Sequence, residues 1–291
     1  EGHQGLWSKP SDGSGTGSAL AISAGIDLKG MEITPRHPLT IRDCGIHIPL
    51  DVLGSGGRIR RENGDDVGPE EALEGEPCVL DLRQMDADAK VWFSQTSMRI
   101  MDRLGIDISK DVIPLSPGIA YTTGGAPSDA QGRVVFQGHT AEGLPAELWH
   151  TGLYAAGRSA HTGVHGSNAL PGNLLLDDLV SGKAAGEHAS KWATGIRFGG
   201  NNQIEEALKR ESDRVSSIME GDGIAVAKFY SKLTSAISSE SSNEKSLAEV
   251  RAIKDTGITL SDTSSVMNTE MAEALRLVGL ASVAESILTS G

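Results

Sequence analysis

"VHGSNALPGNLLLDDLV", residues Val164 to Val180, joins a loop dense in Gly, Asn, Ser and Pro directly to an apolar stretch with helical spacing. Glycine leaves backbone N–H groups open to a ligand because no Cβ blocks approach. A helix that starts beside such a loop adds unsatisfied N–H groups and partial positive charge at its first turn. The spacing predicts that helix from about Asn173 to Ala193. The pairing suits a phosphate or a large flat cofactor, and a plain tight turn has the same composition.

Working outward, "ELWHTGLYAAGRSA" predicts a buried strand over Gly152 to Ala156 that ends in Gly157. "DVIPLSPGIAYTTGGAPSDAQGRVV" predicts a strand, a glycine turn and a short hairpin. Near the start, "DGSGTGSALAISAGIDLKGMEITPRHPLTI" predicts a glycine turn, a small-residue helix from about Thr16 to Ala24 capped by Gly25, and a proline-interrupted strand. "IHIPLDVLGSGGRIRRENGDD" predicts two short strands around Gly54 to Gly57. Val67 to Pro77 reads as an acidic exposed loop, "CVLDLRQM" as a strand, and Asp86 to Leu104 as one helix. After Gly200 glycine becomes rare and apolar residues recur at helical period over Asn202–Ser238 and Leu247–Leu288. This predicts a helical domain of three or four helices.

The composition narrows the function classes. The net charge of −13 leaves no basic stripe for nucleic acid. Arg58 to Asn63, the densest basic cluster, reads as a solvated strand end. Cys44 and Cys78 are the two cysteines and form no CxxC pair, so an iron–sulfur or zinc site within the chain is not expected. Both read as small buried apolar residues in a reducing compartment. No apolar run spans a bilayer, and "EGHQGLWSKP" has no basic start followed by an apolar stretch, so no signal peptide is expected. Glycine, 36 of 291 residues, is concentrated before Gly200.

Individual polar residues carry less weight. "DGSGTG" lacks a clear preceding strand and the downstream acidic residue of a dinucleotide fold. His161 and His165 are four apart, but in a loop, which argues against a metal site. His165 reads as orienting its loop through backbone hydrogen bonds. Asp177 and Asp178 read as acidic residues in the first turns of a helix. No Gly-x-Ser-x-Gly elbow or Cys/His pair points to a hydrolase.

The order of these motifs resembles the succinate dehydrogenase and fumarate reductase flavoprotein subunits, which are related to L-aspartate oxidase. "GSGTGSALAISAGIDLKGMEITPRHPLTI" resembles that family's glycine–helix–strand segment ending in His-Pro. "LGSGG", "CVLDLRQ" and "PGIAYTTGG" follow in the family's order, and "GLYAAGRSAHTGVHGSNALPGNLLLDDLVSGKAAG" resembles its most characteristic segment. "DTSSVMNTEMAEALRL" is similar to its C-terminal helices. The resemblance implies an α+β fold with a partial FAD-binding domain, a capping-domain remnant and a C-terminal helical bundle. The implied boundaries are FAD-binding segments at 1–42 and 116–200, a reduced capping region at 43–115, and helices at 201–291. It implies FAD as cofactor, contacted by Gly13, Gly15, Tyr121, Gly124, Gly125, Gly157, His165, Gly166 and Asn173, with His37 on the substrate side.

The implied activity is hydride transfer between flavin and a small carboxylate, with electrons passing to an iron–sulfur subunit at the cytoplasmic face of a membrane. An L-aspartate oxidase would need no such partner. The chain also departs from the family. The N-terminal dinucleotide-binding motif, whose region carries the histidine of a covalent flavin link, is not in it. Ala120 stands where a second histidine is expected and Ala169 where an arginine clamps a carboxylate. Arg158 replaces an acidic residue, Ser14 an aspartate and Leu174 a serine. The segment between Gly57 and Cys78 is short, and the acid–base arginine has no assigned position. A dianion needs charge-assisted partners; Arg36, Arg42 and Arg158 are the available ones. Two other readings follow from these replacements: a non-catalytic flavoprotein-like scaffold, and an oxidoreductase for a less charged substrate.

Overall fold

The computed structural model describes residues 15–42, 46–74, 76–119, 121–170, 173–197, 199–238, 242–264 and 266–290. Gly13, Ser14, Cys44 and Ala120 lie outside them. The described residues divide into two compact units, the first within 34–121 and the second within 15–33 and 122–290.

Helix α1 (Thr16–Ser23) opens the second unit. The chain then builds the first unit, beginning with β1 (Arg36–His37). Where two strands are expected around Gly54 to Gly57, it forms instead a short helix α2 (Asp51–Gly54) followed by β2 (Arg58–Arg61). The reason is local: Gly57 N–H closes on Val52 O at 2.9 Å, and Val52 is fully buried. The acidic segment carries β3 (Asp66–Val67) and α3 (Pro69–Ala72), whose first residue is a proline that needs no N–H partner there.

β4 (Cys78–Asp81) fulfils the expected strand. The single helix expected over Asp86–Leu104 is two, α4 (Ala87–Trp92) and α5 (Ser94–Leu104). Phe93 ends one and starts the other; only 2% of it is exposed, and burying its ring fixes the break. β5 (Ile113–Leu115) and β6 (Gly118–Ile119) complete the unit. β3, β2, β4 and β5 form one antiparallel sheet in that order. Ile59, Leu80, Ile113 and Leu115 from it pack with Phe93, Ile100, Leu39, Ile48 and Val52. Cys78 is part of this core, and burial pushes its thiol pKa up. β1 and β6 pair separately, His37 opposite Gly118.

The second unit continues with β7 (Ala126–Pro127), β8 (Arg133–His139) and β9 (Pro145–Tyr154). β8 and β9 make a long hairpin with a register shift between Arg133 and Val135. The strand expected at Gly152–Ala156 is the end of this hairpin and is half-buried or exposed rather than buried. A 3₁₀ turn at Gly157–Ser159 leads into β10 (Ala160–His161), which runs parallel to β7. Then follow α6 (Asn173–Thr194), α7 (Asn201–Met219), β11 (Ile224–Ala225), α8 (Val226–Ser238), α9 (Asn243–Thr256), β12 (Ile258–Thr259) and α10 (Thr269–Ser290).

Two cores hold this unit. One joins α8, α9 and α10 through Phe229, Leu233, Val250, Leu277 and Ala281. The other joins α1 and α10 to the sheet residues through Ala21, Ile26, Met31, Ala126, Val134, Val283 and Ile287. Among the described residues no helix is long and apolar enough to cross a membrane.

Candidate functional site

The glycine turns of the second unit converge on the segment Gly157–His161. A Cβ on Gly17 would meet the Ser159 hydroxyl, and one on Gly125 would lie 2.6 Å from Ser159 O. Gly125 also exchanges two 3.0 Å hydrogen bonds with Lys29. A Cβ on Gly124 would sit 2.5 Å from Met31 N and 2.6 Å from Gly30 C. His161 Nδ1 donates to Thr123 O at 3.1 Å, and Gly30, at φ +65°, leaves room for that imidazole. So the turn near α1, the Thr122–Gly125 turn and the segment Gly157–His161 are one packed layer, whereas a Cβ on Gly163 or Gly166 in the loop before α6 would meet nothing within 4 Å. The need for glycine at 124 and 125 comes from backbone packed on backbone.

This packing consumes several donors that the resemblance assigns to the cofactor. Gly124 N–H bonds Thr122 Oγ1 at 3.2 Å, and Gly125 N–H bonds Lys29 O. Gly157 N–H bonds Ser181 Oγ at 2.9 Å, and that hydroxyl donates to Asp177 O. Gly166 N–H reaches Gly163 O at 3.2 Å, and Asn173 N–H reaches Leu170 O at 3.0 Å. Gly15 caps α1 at φ +65°, a left-handed conformation that glycine adopts without strain. The first-turn N–H groups of α1 have no intrahelical carbonyl to meet.

Two buried side-chain atoms among the described residues lack a hydrogen-bond partner: Thr123 Oγ1 and His165 Nε2. One lies in the Thr122–Gly125 turn and the other in the loop before α6. His165 Nε2 stands 3.3 Å from Asp177 Oδ2, a contact with ion-pair distance but without hydrogen-bond geometry. The backbone bond expected of His165 is not made through this nitrogen. Asp177 and Asp178 sit beyond the first turn of α6 and face side chains instead: Asp177 faces His165, and Asp178 lies 3.9 Å from Arg158. Neither pairing shows in the sequence, because both span a loop of undetermined course.

The opening half of α6 also answers what lies against the loop. Val164, Leu170, Leu175, Leu176, Leu179 and Val180 are all more than half exposed. The rest of the described chain does not cover these apolar side chains. A groove of about 420 Å³ runs between α1 and α10, and another of about 390 Å³ lies beside Lys29 and His150; neither holds a predicted site residue.

In the first unit, His37 is half-buried and Tyr121 is buried. The His37 Nδ1 accepts the Leu39 N–H at 3.2 Å. Burial, and then the charge of nearby His47, lower the His37 pKa to about 4. Arg42 gives its guanidinium to Leu115 O at 3.3 Å.

The profile of the FAD binding domain matches residues 4–175, more than half of the chain. The chain belongs to the FAD-binding domain family. FAD is the cofactor of this flavoprotein chain. It is similar to the succinate dehydrogenase flavoprotein subunit of Rickettsia bellii, 28% identical over 312 residues, covering 91% of this chain and 50% of the relative. It is 31% identical to the L-aspartate oxidase of Mycobacterium leprae over 246 residues, covering 73% and 44%. Among solved structures, an E. coli quinol fumarate reductase FrdA mutant shares its fold with a TM-score of 0.81 at 22% identity, covering 95% of this chain and 53% of that one. A quinol–fumarate reductase with menaquinol gives 0.80 at 24%, covering 95% and 54%. The flavoprotein chain spans about half the length of the curated relatives it matches.

Its residues fit a flavin. A large flat cofactor with many ring nitrogens and carbonyls needs polar partners and apolar cover, and the loop before α6 offers an orphaned imidazole nitrogen beside uncovered leucines. The Thr123 hydroxyl offers a further open donor.

Proposed function

We propose that this chain works within an FAD-dependent oxidoreductase of the succinate dehydrogenase/fumarate reductase type, moving a hydride between flavin and a small carboxylate. Bound FAD would supply the hydride acceptor or donor. Thr123 Oγ1 and His165 Nε2 would bind its polar edge, and Asp177 would hold the His165 ring in place. The first turn of α1, beginning after Gly15, would stabilise negative charge. His37 would donate an N–H to the substrate. The regions 1–42 and 116–200 would then serve the flavin, 43–115 the substrate side, and 201–291 support. An iron–sulfur subunit at the inner face of a membrane is the proposed electron acceptor.

The observation that carries this reading is the pair of buried polar atoms without a hydrogen bond in the two glycine-rich segments. A buried polar group left unpaired costs about 1–3 kcal/mol, so each is an open position for a ligand atom or a water. The test is FAD binding by the full chain and by His165→Leu and Thr123→Val. Loss of bound yellow flavin in the variants, with folding intact, supports the reading. Unchanged flavin affinity in both would sink it. Succinate-dependent bleaching of the bound flavin then tests turnover.

A scaffold reading is favoured by one feature, Ala169 in place of the expected arginine. Flavin that binds and stays oxidised with every dicarboxylate supports that reading.

A further inference from the structure

We propose that Trp149, Trp192, Tyr154 and His188 form a radical relay. An electron vacancy created on either indole passes to Tyr154 and is trapped there as a neutral phenoxyl radical, while His188 takes the phenol proton. All four side chains belong to β9 and α6. The ring centroids of Trp149 and Trp192 are 5.4 Å apart, those of Trp149 and Tyr154 5.6 Å, and those of Tyr154 and Trp192 6.4 Å. Each ring touches the other two, so an electron crosses between them without an intermediate carrier. Gly152, at φ +88°, leaves open the strand surface on which Trp192 lies: a Cβ there would stand 3.0 Å from the indole.

The proton partners set the direction. The Tyr154 hydroxyl lies 2.8 Å from His188 Nδ1 and makes no other hydrogen bond among the described residues. Donation to Nδ1 is the arrangement that gives the phenol proton an acceptor. A phenol that has lost an electron is a strong acid, and a base at hydrogen-bond distance lets the proton leave with the electron. The Trp149 N–H instead donates to Leu153 O at 3.2 Å, and a peptide carbonyl is too weak a base to keep that proton. The Arg133 guanidinium, paired with Asp129, stands 5.8 Å from the centroid of the Trp149 ring. Its positive charge disfavours a radical cation there and moves the vacancy onward.

The step balances as follows. A diffusing one-electron oxidant takes an electron from an indole and is itself reduced. The indole takes an electron from Tyr154, and Tyr154 gives its O–H proton to His188 Nδ1. The products are the reduced oxidant, the intact indole, a phenoxyl radical and a histidinium. An external one-electron reductant then restores the phenol, which recovers its proton from His188. The relay needs no flavin, so it stands independently of the function proposed above.

The test is pulse radiolysis of the full chain carrying Trp7→Phe and Trp92→Phe, with azide radical as the oxidant of indole. These replacements leave Trp149 and Trp192 as the only indoles. Expected is a loss of indolyl-radical absorption matched by growth of phenoxyl absorption, at a rate independent of protein concentration and slower in deuterated water. Tyr154→Phe, which removes one oxygen, should abolish that growth. His188→Asn keeps an acceptor beside the phenol but no base, and should slow the growth about a hundredfold. Indolyl radicals that decay only by encounters between molecules overturn the proposal. So does phenoxyl growth that persists in Tyr154→Phe, since Tyr121 or Tyr230 is then the trap. An unchanged rate and isotope effect in His188→Asn also overturns it, because the trap depends on that proton transfer.

Discussion

Around His37 the first unit satisfies its own polar groups: Leu39 N–H, Thr40 Oγ1 and both histidine Nδ1 atoms have partners within the chain. In the second unit, Thr123 Oγ1 and His165 Nε2 are buried and make no hydrogen bond, His165 Nε2 only approaching Asp177 Oδ2 at 3.3 Å. A site that fixes a protonation state must complete its hydrogen bonds before any ligand arrives. A site that holds a cofactor keeps some of them for it and is less stable when empty.

The sharpest way to break this contrast is at the shared glycine layer. Gly124→Val places a Cβ within 2.5 Å of Met31 N. Overpacking against backbone should cost about 3 kcal/mol or more and abolish flavin retention, read by denaturant midpoint and flavin absorbance. A variant that folds as well as wild type would show that the layer yields.

The next effect is a pH dependence. His37 has a folded pKa near 4 against an ordinary 6.5. The unfolded chain therefore takes up the proton first as pH falls, and stability declines from pH 6.5 down to 4. The loss is at most about 3 kcal/mol, and His37→Gln should flatten that part of the stability–pH curve.

Asp81 separates from this by its window. Its hydrogen bonds with Arg83, joined by Arg60, hold its carboxyl near pKa 2, below the ordinary 3.8. Its contribution is present above pH 3.8 and lost as pH falls through 2. Because Arg83 is 45% exposed, the effect should be on the order of 1–2 kcal/mol, and Asp81→Asn should remove it.

The smallest effect is the most discriminating. His165→Leu removes a buried nitrogen that makes no hydrogen bond, at the loss of its 3.3 Å approach to the part-exposed Asp177, so the flavin-free protein should keep its stability or gain up to about 1 kcal/mol. Flavin affinity should fall roughly tenfold, about 1.4 kcal/mol in the other direction. A loss of both stability and affinity would make His165 a structural residue.

Much of this was legible in the sequence. Small residues after Gly15 and apolar spacing after Asn173 give α1 and α6 because helix periodicity is local. The packing of Gly124 on Met31 and the pairing of His165 with Asp177 are set by tertiary course, which spacing does not encode. The break at Phe93 hides inside a continuous helical pattern because one buried ring outweighs propensity.

On the hairpin and α6, Trp149 and Trp192 have ring centroids 5.4 Å apart at 74°, with Tyr154 and His188 against them. Two indoles at this distance share their electronic excitation. The strong far-ultraviolet indole band in the circular dichroism of the chain should therefore show a paired-sign shape that reports the docking of α6 on the hairpin. Trp92, 61% exposed in the other unit, should emit as a solvated fluorophore. The paired band belongs to the second unit alone; once Trp7, which lies outside the described residues, is replaced by Phe, the solvated emission of Trp92 follows the first unit without a label.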